Sequence, residues 1–154
     1  MNPNNPTVQA LAERFAAFNQ QLMTFVEQCP IDDWHKVTQA EKWSVGVTAH
    51  HVGATHYPLI DWVQMFVEGR PLPWVTMAMV NESNRQHAEA HVHCTPAEVL
   101  AILHRDGDKA LAYLATINDA DLERVGFFPP FATELSTGQL FSAVFIDYAQ
   151  QHLD

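Results

Sequence analysis

Apolar side chains recur along this chain at three- and four-residue steps, and almost nowhere at the two-residue step of a strand. Val8, Leu11, Phe15, Phe18, Leu22 and Phe25 form one stripe. They predict a helix over 7–28 that Cys29-Pro30 ends. A second helix follows Trp43, with Ser44 as its N-cap. The stripe Val52, Leu59, Val63 and Phe66 carries it to Glu68, and Gly69-Arg70-Pro71 stops it. Pro58 lies inside that stretch and predicts a kink near 54–57, because proline has no N–H for the helical ladder. A third helical segment is expected over 74–91. Thr95-Pro96-Ala97-Glu98 then combines a cap residue, a proline at the first helical position and a capping glutamate. It opens a helix through Val99, Leu103, Ala110, Leu111 and Leu114, ending near 117–118, with Gly107 tolerated inside. The connection 118–136 is turn-rich, with Phe127, Phe128 and Phe131 around Pro129-Pro130. It reads as a loop packed on the core or over an apolar opening. Ser136-Thr137-Gly138-Gln139 resembles a capping box for a last helix, where Phe141, Phe145, Tyr148 and His152 step by four, three and four. No segment shows convincing strand alternation. The expected fold is all-α: four main helices in a bundle, with one extra helical segment.

At 154 residues the chain is expected to be a single domain, 1–154, with a sizeable core. Its formal net charge of −10 repels phosphate backbones and anionic lipid surfaces, so no nucleic-acid or membrane partner is expected. Two cysteines, Cys29 and Cys94, have no paired spacing for a thiolate metal site or a disulfide framework. No basic segment leads into an apolar N-terminal run, so the expected location is cytoplasmic.

Nine histidines are many for this length. His51 shares a helical face with Val47, Thr55 and Leu59, close to the apolar stripe. His152 follows Tyr148 at i, i+4, on the face that Phe141 and Phe145 mark as inward. If these two helices pack side by side, both imidazoles enter one cavity, and imidazole is the commonest metal ligand. His50 and His56 lie to the sides of His51 and read as satisfied or half-exposed. Asp147 is rotated away from His152. His87 and His91 form an i, i+4 pair of their own. They read as a polar face, with a crossing to His51 as the bolder alternative.

The run Trp43-Ser44-Val45-Gly46-Val47-Thr48-Ala49-His50-His51-Val52 resembles a segment of the DinB-like (DinB/YfiT) superfamily, related to the metal-binding domain of thiol-dependent maleylpyruvate isomerases. The resemblance implies a DinB-like bundle topology and a metal-binding histidine eight residues after the tryptophan, which is His51. It implies a second on the final helix, His152, and places Tyr148 where the family has a further histidine. Asn84 resembles the asparagine of a pattern found in related members. The implied activity is a divalent-metal-dependent enzyme, a thiol-dependent transferase or isomerase, or a hydrolase, on a small-molecule substrate. Zinc or nickel is the expected metal, held by His51, His152 and Tyr148. A low-molecular-weight thiol is the possible co-substrate, and Asn84, His87 and Thr55 are the expected pocket residues. A homodimer through apolar helix faces is expected. With only two histidines in place, three readings stay open: a site completed by Tyr148, another side chain or water; a weak site; or a lost one. The alternative function is a non-catalytic small-molecule-binding or stress-related bundle.

Overall fold

The computed structural model describes residues 6–39 and 42–152. Four long helical stretches form the bundle. Helix α1 spans Val8–Gln28, capped by the Thr7 hydroxyl at Ala10 N. A short α2, Ile31–Trp34, follows. The second stretch is composite: α3 (Val45–His51) runs into a wide turn (Val52–His56), a tight turn (Tyr57–Leu59) and α4 (Ile60–Val67). Helix α5, Met77–Ala90, is the extra segment and lies on α3. Helix α6, Pro96–Leu114, carries the expected capping box complete in both directions. The last stretch is composite too: α7 (Thr137–Phe141), a wide turn (Ser142–Asp147) and α8 (Tyr148–Gln151). Its capping box, Ser136 with Gln139, also forms both bonds. Helix α1 packs against α6 and against the Ser142–Asp147 turn, and α3 packs on α6.

The core follows the stripes. Leu11, Phe15, Phe18 and Leu22 are buried, but Val26 continues the line, leaving Phe25 exposed. Four-residue steps from Phe18 reach 22 and 26, so the helix favours Val26 over its neighbour. Phe15, Tyr57, Phe141 and Phe145 meet at the centre in edge-to-face and stacked pairs, with ring centroids 4.4 to 6.1 Å apart. The Tyr57 hydroxyl donates to Asn19 Oδ1 at 2.8 Å, and Asn19 Nδ2 donates to Leu103 O at 3.3 Å. A buried polar pair is thereby satisfied beside Gly107, where a Cβ would stand 2.5 Å from Asn19 Nδ2. The interior glycine of α6 is thus a place where a side chain is excluded.

The connection after α6 departs from the expected loop. Val125–Phe128 (β1) and Thr133–Ser136 (β2) pair antiparallel, with Val125 opposite Ser136 and Phe128 opposite Thr133. The expectation of no strands fails here for a physical reason. Each strand is four residues long, and its exposed Val125 and Phe127 break the apolar–polar alternation. The turn is a Pro129–Phe131 tight turn followed by Ala132 in the left-handed region, φ 48°, not the asparagine–glycine type that marks hairpins in sequence.

Trp34 seats α3. Its indole is buried, and Nε1 donates to Cys94 O at 2.9 Å. Gly46 lies flat on that ring, with an ideal Cβ 2.5 Å from Trp34 Cε2. Gly46→Ala is therefore expected to lower unfolding free energy by about 1–3 kcal/mol, since neither the indole nor the helix start can give way freely. Urea denaturation checks this, and an unchanged midpoint would refute the packing role.

Candidate metal centre

The two wide turns define the site. In the first, Tyr57 N–H reaches back five residues to Val52 O, so the helix holds one extra residue. Pro58 provides the cause, having no N–H to continue the regular ladder. In an ordinary α-helix, residues five apart point about 140° away from each other. The extra residue closes that gap and brings His51 and His56 toward one side. In the last stretch, Tyr148 N–H similarly bonds Ala143 O. The neighbouring carbonyl, Val144 O, accepts from His56 Nδ1 at 2.8 Å.

Three imidazoles converge there. Ring centroids of His51, His56 and His152 lie 4.7, 5.0 and 5.1 Å apart, and one nitrogen from each falls within 4.8 Å of the others. Because a carbonyl only accepts, His56 Nδ1 carries the hydrogen and Nε2 keeps its lone pair. That Nε2 is 3.2 Å from His152 Nε2. Two imidazoles bound tetrahedrally to one zinc, at Zn–N of about 2.0–2.1 Å, have nitrogens about 3.3 Å apart. Thr55 Oγ1 donates to His51 O at 2.7 Å and lies 3.0 Å from His51 Nδ1. The Trp43 ring flanks His51 at 5.0 Å and stacks toward His152 at 6.5 Å.

Burial controls the electrostatics. His51 is 1% exposed. Its desolvation, helped by neighbouring His56 and His152, pushes it down to about 2. Burial also lowers His56 to about 4, against the bond to Val144 O, which favours the protonated ring. His51 and His56 are thus neutral near pH 7, the form that ligates metal. The donor set fits a divalent d-block ion: three imidazole nitrogens suit zinc, nickel or copper far better than magnesium or calcium.

The triad opens into a cavity of about 540 Å³. Its walls are Phe128, Pro130 and Phe131 from the hairpin and Met77, Val80 and Asn84 from α5, with the three histidines also lining it. The aromatic connection thus contributes both to the core, through buried Phe128, and to the rim, through Phe131. Among the described residues, the lining contains no Asp, Glu, Lys or Arg. A wider depression of about 850 Å³, between the start of α1 and the end of α6, is lined by no histidine.

His51 and His152 come together, and Thr55 and Asn84 line the cavity. Tyr148 does not face inward as Phe141 and Phe145 do: it lines the cavity rim, 37% exposed, with its ring 5.5 Å from Phe131. The inserted residue of the Ser142–Asp147 turn rotates everything after it, so Ala149 takes the buried position instead. Asp147 turns outward, 3.7 Å from Arg14. His87 is absent from the cavity lining. It joins His50 and His91 in a second cluster, its ring 6.0 Å from His51. His56, which helical periodicity places to the side of His51, is inside the site, and Pro58 two residues on is the sequence signal for the turn that swings it inward.

The family model of the DinB superfamily matches residues 14–153. The chain belongs to the DinB superfamily. The match spans all three histidines of the cavity triad. A solved structure of YfiT from Bacillus subtilis superposes with a TM-score of 0.75, covering 95% of this chain and 81% of that one at 15% identity. That protein is described as "a probable metal-dependent hydrolase with an unusual four-helix bundle topology". At this identity the likeness carries the DinB-superfamily fold, here an all-α four-helix bundle. No curated protein matches the chain by sequence. Among the described residues, no helix is long and apolar enough to cross a membrane.

Proposed function

We propose that His51, His56 and His152 hold a divalent metal, zinc or nickel by donor chemistry, and that the protein is a metal-dependent hydrolase of small, largely uncharged substrates. The observation that carries this reading is the convergence of three imidazoles at a mainly apolar cavity. Held by His51, His56 and His152, a divalent metal would supply Lewis acidity and acidify a water or thiol. The chain's own residues do the rest. His56, fixed through Val144 O, holds its donor atom in place. The apolar walls bind the substrate body and limit water. Asn84, with an amide that both donates and accepts, orients a polar group of the substrate. Among the described residues the lining holds no carboxylate or ammonium, and its three histidines are the proposed metal ligands, so the described side chains there supply no separate general base. Activity should therefore depend on the metal almost entirely.

A thiol-dependent transfer at the same centre is the second chemistry of this site. What favours hydrolysis is that, among the described residues, no Lys or Arg lines the cavity to pair with the carboxylates that low-molecular-weight thiols commonly carry. Metal-loaded, untagged protein is expected to hydrolyse a panel of chromogenic esters and amides, and His51→Ala to lose about 10²-fold or more of that rate. Elemental analysis of the same samples should show the loss of the ion held at this triad. An unchanged metal content in His51→Ala would sink the assignment. Turnover that requires added thiol would replace hydrolysis with transfer.

A further inference from the structure

His50, His87 and His91 form a second triad, and the proposed reaction does not use it. We propose that these three residues bind a second divalent d-block metal ion, zinc being the simplest probe, and that this ion clamps α5 against α3 to hold the wall of the cavity. The donors are disjoint from the first triad, so this site stands or falls separately from the hydrolase reading.

The geometry repeats that of the first triad. One nitrogen from each residue lies within 4.8 Å of the others. His50 Nδ1 and His87 Nε2 are 3.1 Å apart, close to the separation of about 3.3 Å for two imidazoles on one tetrahedral ion. Ring centroids are 4.8 Å for His50–His87, 4.1 Å for His50–His91 and 4.4 Å for His87–His91. His87 and His91 share one face of α5 at i, i+4 spacing, and His50 comes from the last turn of α3. Consecutive residues project about 100° apart on a helix, so His50 and His51 can feed two different sites from one turn.

The surroundings point the same way. The triad is all nitrogen, with no carboxylate among its members, so it is not a salt bridge. His87 Nδ1 is buried without a hydrogen-bond partner among the described residues. An ion held by His87 Nε2 would leave that nitrogen as it is, so it is the convergence of the His50, His87 and His91 donors that points to an ion. Helix α5 also needs an anchor, since Ala88 is its only fully buried residue among those described. Even so, Met77, Val80 and Asn84 of this helix form a wall of the cavity. An ion shared between His50 and the α5 pair would fasten that wall to the bundle without an apolar face.

The test titrates zinc into chelator-stripped, untagged full-length protein against a chromogenic chelator. Wild type is expected to bind two equivalents, His91→Gln and His87→Gln one each, His51→Ala one, and the His51→Ala/His91→Gln pair none. Circular dichroism verifies that each variant keeps its helix content. Hydrogen exchange over 77–90 should slow on zinc loading in wild type and His51→Ala, but not in His91→Gln. A wild type that binds no zinc, or whose full stoichiometry survives unchanged in both His87→Gln and His91→Gln, overturns the second site. Two equivalents with no change in α5 exchange would leave the ion but overturn the clamp. Failure of the first triad reads differently: His51→Ala would then match wild type in stoichiometry.

Discussion

Replacing His56 with alanine is expected to empty the cavity triad, whereas Tyr148→Phe should leave its metal content unchanged. The two outcomes discriminate between two ways of completing the site. Family resemblance puts the third ligand at position 148, but a neutral phenol is a poor ligand, and Tyr148 sits at the cavity rim against Phe131. His56 offers an Nε2 lone pair 3.2 Å from His152 Nε2, with its other nitrogen tied to Val144 O. Loss of an outer-shell partner of a metal ligand commonly costs about 10–100-fold in affinity, and loss of a ligand itself should cost at least as much. Measuring in a His91→Gln background removes the second triad from the count. Zinc affinity in His56→Ala should then fall by about 10²-fold or more, with hydrolytic rate falling alongside. If Tyr148→Phe were the variant that lost the metal, and His56→Ala kept it, the ligand set proposed above would be wrong.

The sequence carried the bundle well and the centre only in part. Thr95, Ser44 and Ser136 mark helix starts through local hydrogen bonds, and such signals need no tertiary knowledge. The pairing of His51 with His152 was legible because each lies on or near an apolar stripe. The second half of the centre was hidden by two wide turns. A single inserted residue changes which side chains share a face, and periodicity computed at 3.6 residues per turn places His56 aside and Tyr148 inward. The structure reverses both placements. The kink that Pro58 predicts was the legible clue, but a kink gives no direction until its hydrogen bonds are known. The β1–β2 hairpin was lost for a related reason: strands of four residues with a proline turn fall below the length at which alternation speaks. The second triad illustrates a limit of another kind. His87 and His91 announce themselves as a pair, but only packing of α5 on α3 supplies His50.

Metal-free protein is expected to lose thermal stability on mild acidification, with Tm falling on the order of 10 °C between pH 7 and pH 5. The cause lies in both triads. Burial holds His50 at about 4, with His91 and His87 adding to the depression and Glu98 opposing it. Burial likewise holds His56 at about 4 and His51 at about 2. An unfolded histidine takes up its proton near 6.5. Below that pH the unfolded chain therefore binds protons that the folded chain refuses, and stability falls as pH falls. The loss continues until about pH 4, where His50 and His56 begin to protonate within the fold. Above pH 7.5 neither state binds these protons and the contribution is flat. Glu68, held down by Gln64 and Arg70, and Glu82, held down by Arg85 and Gln86, sit below the ordinary glutamate value in the fold, so their contributions change only once unfolded glutamates begin to protonate, near pH 4.5. Zinc should raise Tm at pH 7, because only the folded state gathers the ligands, and the gain should shrink toward pH 5 as protons compete for the same nitrogens. Thermal unfolding followed by circular dichroism, with and without chelator, measures both effects. A metal-free Tm that stays level from pH 7 to 5 would mean the imidazoles are far better solvated than their packing implies. A steep fall that persists in a His50→Gln/His51→Gln/His56→Gln variant would trace the acid sensitivity to other groups.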